Sequence, residues 1–198
     1  DLKVSTRFDY DRLSRMRFHT EDDLDQSRTD YDGASRPVPT VDAAANETLQ
    51  GFDDDSNLVR VETVEKHPEG QVAAQNFVSI TRYDALDRPI KLVTNLGHTR
   101  RISYDSRDNP ITTSDAQASP GTETEFTTSL VALNNPGNTT TLFYDGINRV
   151  VRSEQDLRVG GSGDGALDTS NPTNPDGKVT LSQDWDGNSR LTSQTDDR

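Results

Sequence analysis

Tyr83-Asp84, three residues and then Arg88-Pro89-Ile90 is followed 21 residues later by Tyr104-Asp105, three residues and Asn109-Pro110-Ile111. A repeat this short cannot bury an apolar face on its own, so the chain must stack repeats against one another. The template is an aromatic, Asp, three residues, Arg or Asn, then an apolar residue or Pro. It finds seven copies, starting at Tyr10, Tyr31, Phe52, Tyr83, Tyr104, Tyr144 and Trp185, at spacings of 21, 21, 31, 21, 40 and 41. The short spacings define the unit and the long ones are the unit plus inserted loop. One fact is independent of spacing: all five Tyr and the single Trp are each followed by Asp.

Ahead of the motifs, residues sharing the aromatic's parity tend to be apolar or β-branched. They include Val4, Thr6 and Phe8; Phe77, Ser79 and Thr81; Ile102; Thr140 and Leu142; Val179 and Leu181. Alternation at period two predicts a strand with one covered face. A returning strand is predicted after each motif, with Val59, with Ile90 and Leu92, and with Val151 as its apolar positions. Two strands of about eight residues and two turns account for the period. Asp can accept from backbone N–H two residues on, and Gly33, Gly146, Gly187, Asn148 and Asn188 tolerate positive φ in mid-turn. Pro37, Pro89 and Pro110 recur six residues after an aromatic, which suits the first residue of a strand, where no ladder N–H is needed. The reading is all-β: one array of antiparallel β-hairpin repeats over 1–198, with insertions near 62–75, 114–138 and 154–177. The turns expected there are His67-Pro68-Glu69-Gly70, Ser119-Pro120-Gly121 and Asn134-Asn135-Pro136-Gly137, with the last insertion centred on Gly160–Gly177. Strand patterns run almost to both ends, so the chain reads as an excerpt of a longer array or as one that pairs end to end.

The chain is 29% hydrophobic with net charge −13 and mean hydropathy −0.86, values that would suggest disorder without the regular aromatic placement. The acidic balance argues against a nucleic-acid partner. No apolar run reaches the about 18 residues of a membrane helix, so membrane insertion by this segment is not expected. Without cysteine there is no disulfide and no thiolate site.

The aromatic-Asp-x-x-x-Arg/Asn pattern at this period resembles the YD repeats of the Rhs family, which includes bacterial polymorphic toxins, shell components of insecticidal toxin complexes and the animal teneurins. The resemblance spans nearly the whole chain. It implies a continuous antiparallel sheet spiralling into a hollow shell, secreted or at the cell surface, that encloses cargo such as a toxin domain. Its partners would then be neighbouring repeats of the same or identical chains. Two departures stand out. The family favours Gly at the place occupied here by Ser14, Ser35, Ser56, Asp87, Asp108, Asn148 and Ser189. The family's self-cleaving closing segment and toxin tail are not found before Arg198, so cargo release and toxicity do not carry over.

The motif residues are expected to act structurally. Asp11, Asp32, Asp53, Asp84, Asp105, Asp145 and Asp186 would satisfy backbone donors in their own turns. Arg15, Arg36, Arg88, Arg149 and Arg190 would pair with acids of neighbouring units and cover aromatic faces, with Asn57 and Asn109 at the same place in two repeats. No metal or cofactor is expected; calcium at Asp164, Asp168 and Asp176, in the loop with Asn171 and Asn174, is the alternative to an unliganded flexible loop. His19, His67 and His98 sit in unrelated contexts, and no nucleophile elbow, zinc-binding helix or phosphate loop occurs, so no enzyme is expected. Asn46-Glu47-Thr48 and Asn138-Thr139-Thr140 are glycosylation sequons. The rival readings are an adhesion or glycan-binding module that uses the inserted loops to grip a glycan or surface protein, and a self-assembling extracellular fibre or tube.

Overall fold

The computed structural model describes residues 5–21, 25–66, 74–116, 138–160 and 165–197. Val4, the three expected loop turns, His67 and Asp164 lie outside these residues. The described residues form fourteen β-strands and no helix. They fall into two compact units, Asp1–Asp87 and Arg88–Arg198. The first holds β1 (Thr6–Tyr10), β2 (Met16–Glu21), β3 (Asp25–Tyr31), β4 (Pro37–Val41), β5 (Glu47–Phe52), β6 (Leu58–Glu65) and β7 (Gln75–Tyr83). The second holds β8 (Pro89–Val93), β9 (Thr99–Tyr104), β10 (Pro110–Ala116), β11 (Asn138–Tyr144), β12 (Val150–Asp156), β13 (Lys178–Trp185) and β14 (Leu191–Asp196).

Within each unit every pairing is antiparallel, and each strand touches only its neighbours in the chain. Cohesion is therefore a nearest-neighbour property, as in repeat arrays generally. Pro37, Pro89 and Pro110 each open a strand, where a missing N–H breaks no ladder bond. Strands also reach into the expected insertions: β6 runs to Glu65, β10 to Ala116 and β12 to Asp156.

Six of the motif hairpins carry the same irregularity. The aromatic pairs with the residue six further on, as in Tyr10↔Met16, Tyr31↔Pro37, Phe52↔Leu58, Tyr104↔Pro110, Tyr144↔Val150 and Trp185↔Leu191, and the register then shifts by one. Such a bulge leaves one residue of the returning strand unpaired and resets its parity. Val59 and Val151, expected at regular apolar positions, are the residues stepped over.

The expectation of a covered face needs correcting. Ile80, at 9% exposure, is the only buried hydrophobic residue among those described, while Phe8 and Phe77, on the aromatic-parity side, are 49% and 36% exposed. Leu92 is 42% exposed and its neighbour Lys91 only 5%, the reverse of the sequence reading. The aliphatic stem of Lys can lie along a sheet as well as a Leu side chain does. The alternation instead sorts chemistry. The aromatic-parity side of the first unit carries a cross-strand row Thr29–Thr40–Thr48–Thr63. The opposite side carries same-strand ion pairs two residues apart: Arg7–Asp9, Arg28–Asp30 and Arg60–Glu62, with Arg152–Glu154 repeating the device in the second unit. Glu62 also accepts from Asn76 Nδ2 at 2.6 Å, and the donation from Arg60, then that from Asn76, holds its carboxyl below the usual value. Glu154 accepts from Lys178 Nζ at 2.8 Å, which raises the Lys178 pKa.

These exposures predict a sharp contrast between two aliphatic truncations. Ile80→Ala should cost about 2 kcal/mol, and Leu92→Thr less than about 0.5 kcal/mol, both read from urea denaturation.

Candidate functional site

The seven motifs lie at odd-to-even strand connections, and the geometry at Asp11, Asp32, Asp53, Asp105, Asp145 and Asp186 recurs nearly atom for atom. The Asp11 N–H donates to Arg15 O at 2.9 Å, and Ser14 N–H donates back to Asp11 O at 3.1 Å. Asp11 Oδ1 accepts from the N–H groups of Leu13 and Arg15, and Oδ2 accepts from Arg15 Nε at 2.7 Å. One carboxylate thus satisfies the turn's donors and anchors the guanidinium that follows. Asp32, Asp145 and Asp186 repeat the whole set with Arg36, Arg149 and Arg190. Asp53 and Asp105 make it with the amides of Asn57 and Asn109. Asp84 accepts from Leu86 N–H at 2.9 Å.

The fifth residue of the motif, counting the aromatic as first, lies in the left-handed region in every copy: Ser14, Ser35, Ser56, Asp87, Asp108, Asn148 and Ser189 have φ between 58° and 72°. Gly33, Gly146, Gly187 and Asn188 do not have positive φ, which corrects the mid-turn reading. The turn bends at the residue before Arg or Asn, and glycine two places before that residue is optional.

The sixth residue reaches forward to the next repeat. Arg15 Cζ sits 4.6 Å from the centre of the Tyr31 ring, while Nη1 donates to Asp32 O and to Ser35 Oγ at 3.3 and 3.0 Å. Arg36 does the same over Phe52, to Asp53 O and Ser56 Oγ; Arg88 over Tyr104, to Asp105 O and Asp108; Arg149 over Trp185, to Asp186 O and Ser189 Oγ. The aromatic reaches back. Tyr31, Tyr83, Tyr104 and Tyr144 donate their hydroxyls, and Trp185 its Nε1, to the carbonyl of the seventh residue of the preceding repeat: Met16, Leu58, Pro89, Pro110 and Val150. Phe52 has no group to donate. We call this two-way contact the clasp.

One expectation changes here. Arg15, Arg36, Arg149 and Arg190 pair with the Asp of their own turn rather than with a neighbour's acid, because turn closure puts the two side chains side by side. Arg88 does reach an acid one repeat on, Asp108 at 2.7 Å. Where the sixth residue is Asn, its shorter amide still finds the next repeat's fifth residue: Asn57 donates to Asp87 at 2.7 Å and Asn109 to Asn148 at 3.0 Å. Arg107 then supplies the missing bond to the next Asp carbonyl, at Asp145 O.

A template requiring an aromatic missed two related turns. Asp42 to Asn46 has the same backbone bonds, the same carboxylate-to-amide contact and Ala45 at φ 63°. Thr94 to His98 repeats the backbone bonds with Gly97 at φ 76°. Both lie on even-to-odd connections; the signal was an Asp or Thr four residues before Asn or His.

The last insertion closes on itself by backbone bonds from Leu157 to Gly177, Val159 to Ala166 and Asp168 to Leu157. Asn174, 4% exposed, donates to Asp197 O. Asp168 accepts from Ser170, and Asp176 accepts from the Lys178 N–H, so each carboxylate serves its own turn. Among the described residues no three His, Cys, Asp or Glu converge as a metal site. Among the described residues no helix is long and apolar enough to cross a membrane.

No family model matches the chain, and no curated protein matches it. Several solved structures are similar. A complex of TcdB2, TccC3 and Cdc42 is 14% identical at a TM-score of 0.48, over 96% of this chain and 11% of that one. TcdB2-TccC3-TEV is 10% identical at 0.46, again over 96% and 11%. A Tc holotoxin pore of Photorhabdus luminescens carrying a TccC3 mutation is 13% identical at 0.45, over 98% and 11%. The chain thus spans about a tenth of the structures it is similar to.

The turn carboxylates predict an acid-sensitive fold. Asp11, Asp42 and Asp105 are held below the usual Asp range first by side-chain donation from Arg15, Asn46 and Asn109; Asp32, Asp145 and Asp186 first by the backbone N–H of Arg36, Arg149 and Arg190. A lowered folded pKa gives stability that is complete above the unfolded value, about 3.9, and is lost as pH falls through the folded value. The Tm should be flat from pH 7 to about 5 and fall below about pH 4. In Asp32→Asn/Asp145→Asn it should be lower at pH 7, with the gap to wild type closing in acid. Circular dichroism melts across pH measure both.

Proposed function

We propose that this chain is a non-catalytic structural segment, part of the wall of an Rhs-type β-sheet shell that encloses cargo such as a toxin domain. The observation that carries this reading is the clasp, repeated from hairpin to hairpin in a sheet whose strands contact only their chain neighbours. Such a sheet extends by adding repeats and needs no second layer to hold it. Both of its faces bear polar groups, a Thr row on one and ion pairs on the other, which suits a partition with water on each side. A net charge of −13 favours solubility and mutual repulsion between such bodies. The secreted or cell-surface setting, the neighbouring repeats as partners and the cargo are part of the same proposal, extended from the motif's resemblance to the Rhs family.

Electron cryo-microscopy of the native particle containing this chain tests it. The expected image is a closed hollow body with density inside. A continuous filament would replace the shell with a fibre. An open sheet whose Gly160–Gly177 loop grips a glycan or surface protein, with binding lost on deleting that loop, would replace it with an adhesion module.

A further inference from the structure

Between β10 and β11 the chain passes through residues 117–137, far longer than the hairpin loops that dictate register through turn geometry. The facing residues do not dictate it either. Thr112, Thr113, Ser114 and Asp115 oppose Thr141, Thr140, Thr139 and Asn138. Sliding β11 by two residues keeps every side chain on its own face and would set Ser114 against Thr141 and Thr113 against Leu142. No apolar pattern separates these alternatives, and strands polar on both sides are prone to slip.

The motif ends of the two hairpins do separate them. Tyr144 Oη donates to Pro110 O at 2.9 Å, Asn109 Nδ2 to Asn148 Oδ1 at 3.0 Å, and Arg107 Nη1 to Asp145 O at 3.3 Å. A two-residue slip displaces the strands by about 7 Å, which breaks all three contacts together. Asn148 is the informative member. At φ 65° its backbone would be served best by glycine, so its side chain carries a cost that the bond from Asn109 offsets. All six fifth residues that follow another motif accept from the preceding sixth residue in this way, as at Ser35, Ser56, Asp87, Asp108 and Ser189.

We infer that the fifth residue of each motif that follows another is a specificity residue that the preceding repeat reads, and that at Asn148 it sets the register of β11 against β10. The side chain at the left-handed position is selected for pairing the correct rows, not only for tolerating the turn.

The chain has no cysteine, so engineered thiol pairs report register cleanly. Thr113→Cys/Thr140→Cys bridges the native register and Thr113→Cys/Leu142→Cys the slipped one, because residues two apart along a strand stand too far away to bridge. With the clasp intact, the native disulfide should form on mild oxidation and the slipped one should not. In Tyr144→Phe/Asn148→Gly the slipped disulfide should rise several-fold at the native one's expense. Unchanged disulfide yields in that variant, with its far-UV sheet signal retained, would overturn the inference, even if its Tm had fallen. Should that variant not fold, Asn148→Gly alone removes the side chain that Asn109 reads while suiting the left-handed backbone: a smaller rise of the slipped disulfide supports the inference and no rise overturns it.

Discussion

Everything in this sheet depends on one guanidinium or amide doing two jobs. Arg15, Arg36, Asn57, Asn109 and Arg149, each the sixth residue of its motif, are fixed from behind by the Asp of their own turn and reach forward to the next repeat's fifth residue; where the residue is Arg, it also covers the next aromatic. Fixing comes first, because a long side chain already held by a carboxylate loses less freedom when it meets its second partner. At Arg15, Arg36 and Arg149 the Asp–Arg pair inside the turn is therefore also a device for holding hairpins together.

The magnitudes explain why repetition is needed. An exposed cation–π contact contributes about 0.5–1 kcal/mol, a hydrogen bond about 1 kcal/mol net, and an exposed ion pair about 0–1 kcal/mol. The left-handed residue costs part of this back, about 1 kcal/mol or more for a non-glycine. No single clasp could order a hairpin, and Ile80 is the only buried hydrophobic residue among those described. Stability accumulates along the array, where each strand is ordered by neighbours already ordered. Hence the chain can be both hydrophilic enough to suggest disorder and regular in fold.

Much of this was legible in the sequence. Aromatic-Asp spacing located all seven motif turns, and the recurring Pro marked strand starts. The Asp side chains satisfy their own turns because side-chain capping is a local interaction, readable from local sequence. What did not show was non-local. The bulge beside six of the aromatics depends on pairing, so Val59 and Val151 were assigned to a regular alternation that the register steps over. Period two was taken for burial because alternation normally means one covered face; here it separates Thr rows from ion pairs. In the sequence the fifth residue was only a departure from the family's Gly, since its purpose lies one repeat away, in Arg36 for Ser56 and in Asn109 for Asn148. Asp42 to Asn46 escaped because the backbone turn does not need the aromatic that the template demanded.

The account stands or falls on whether the forward reach of Arg carries energy between repeats. A double-mutant cycle of Arg36→Ala and Phe52→Leu, read by urea denaturation, isolates that contact, 4.6 Å from guanidinium carbon to ring centre. A coupling of at least about 0.5 kcal/mol favouring the native pair is predicted. Additive single losses, with a coupling near zero, would mean that the clasp only accompanies a sheet held by its backbone ladder alone.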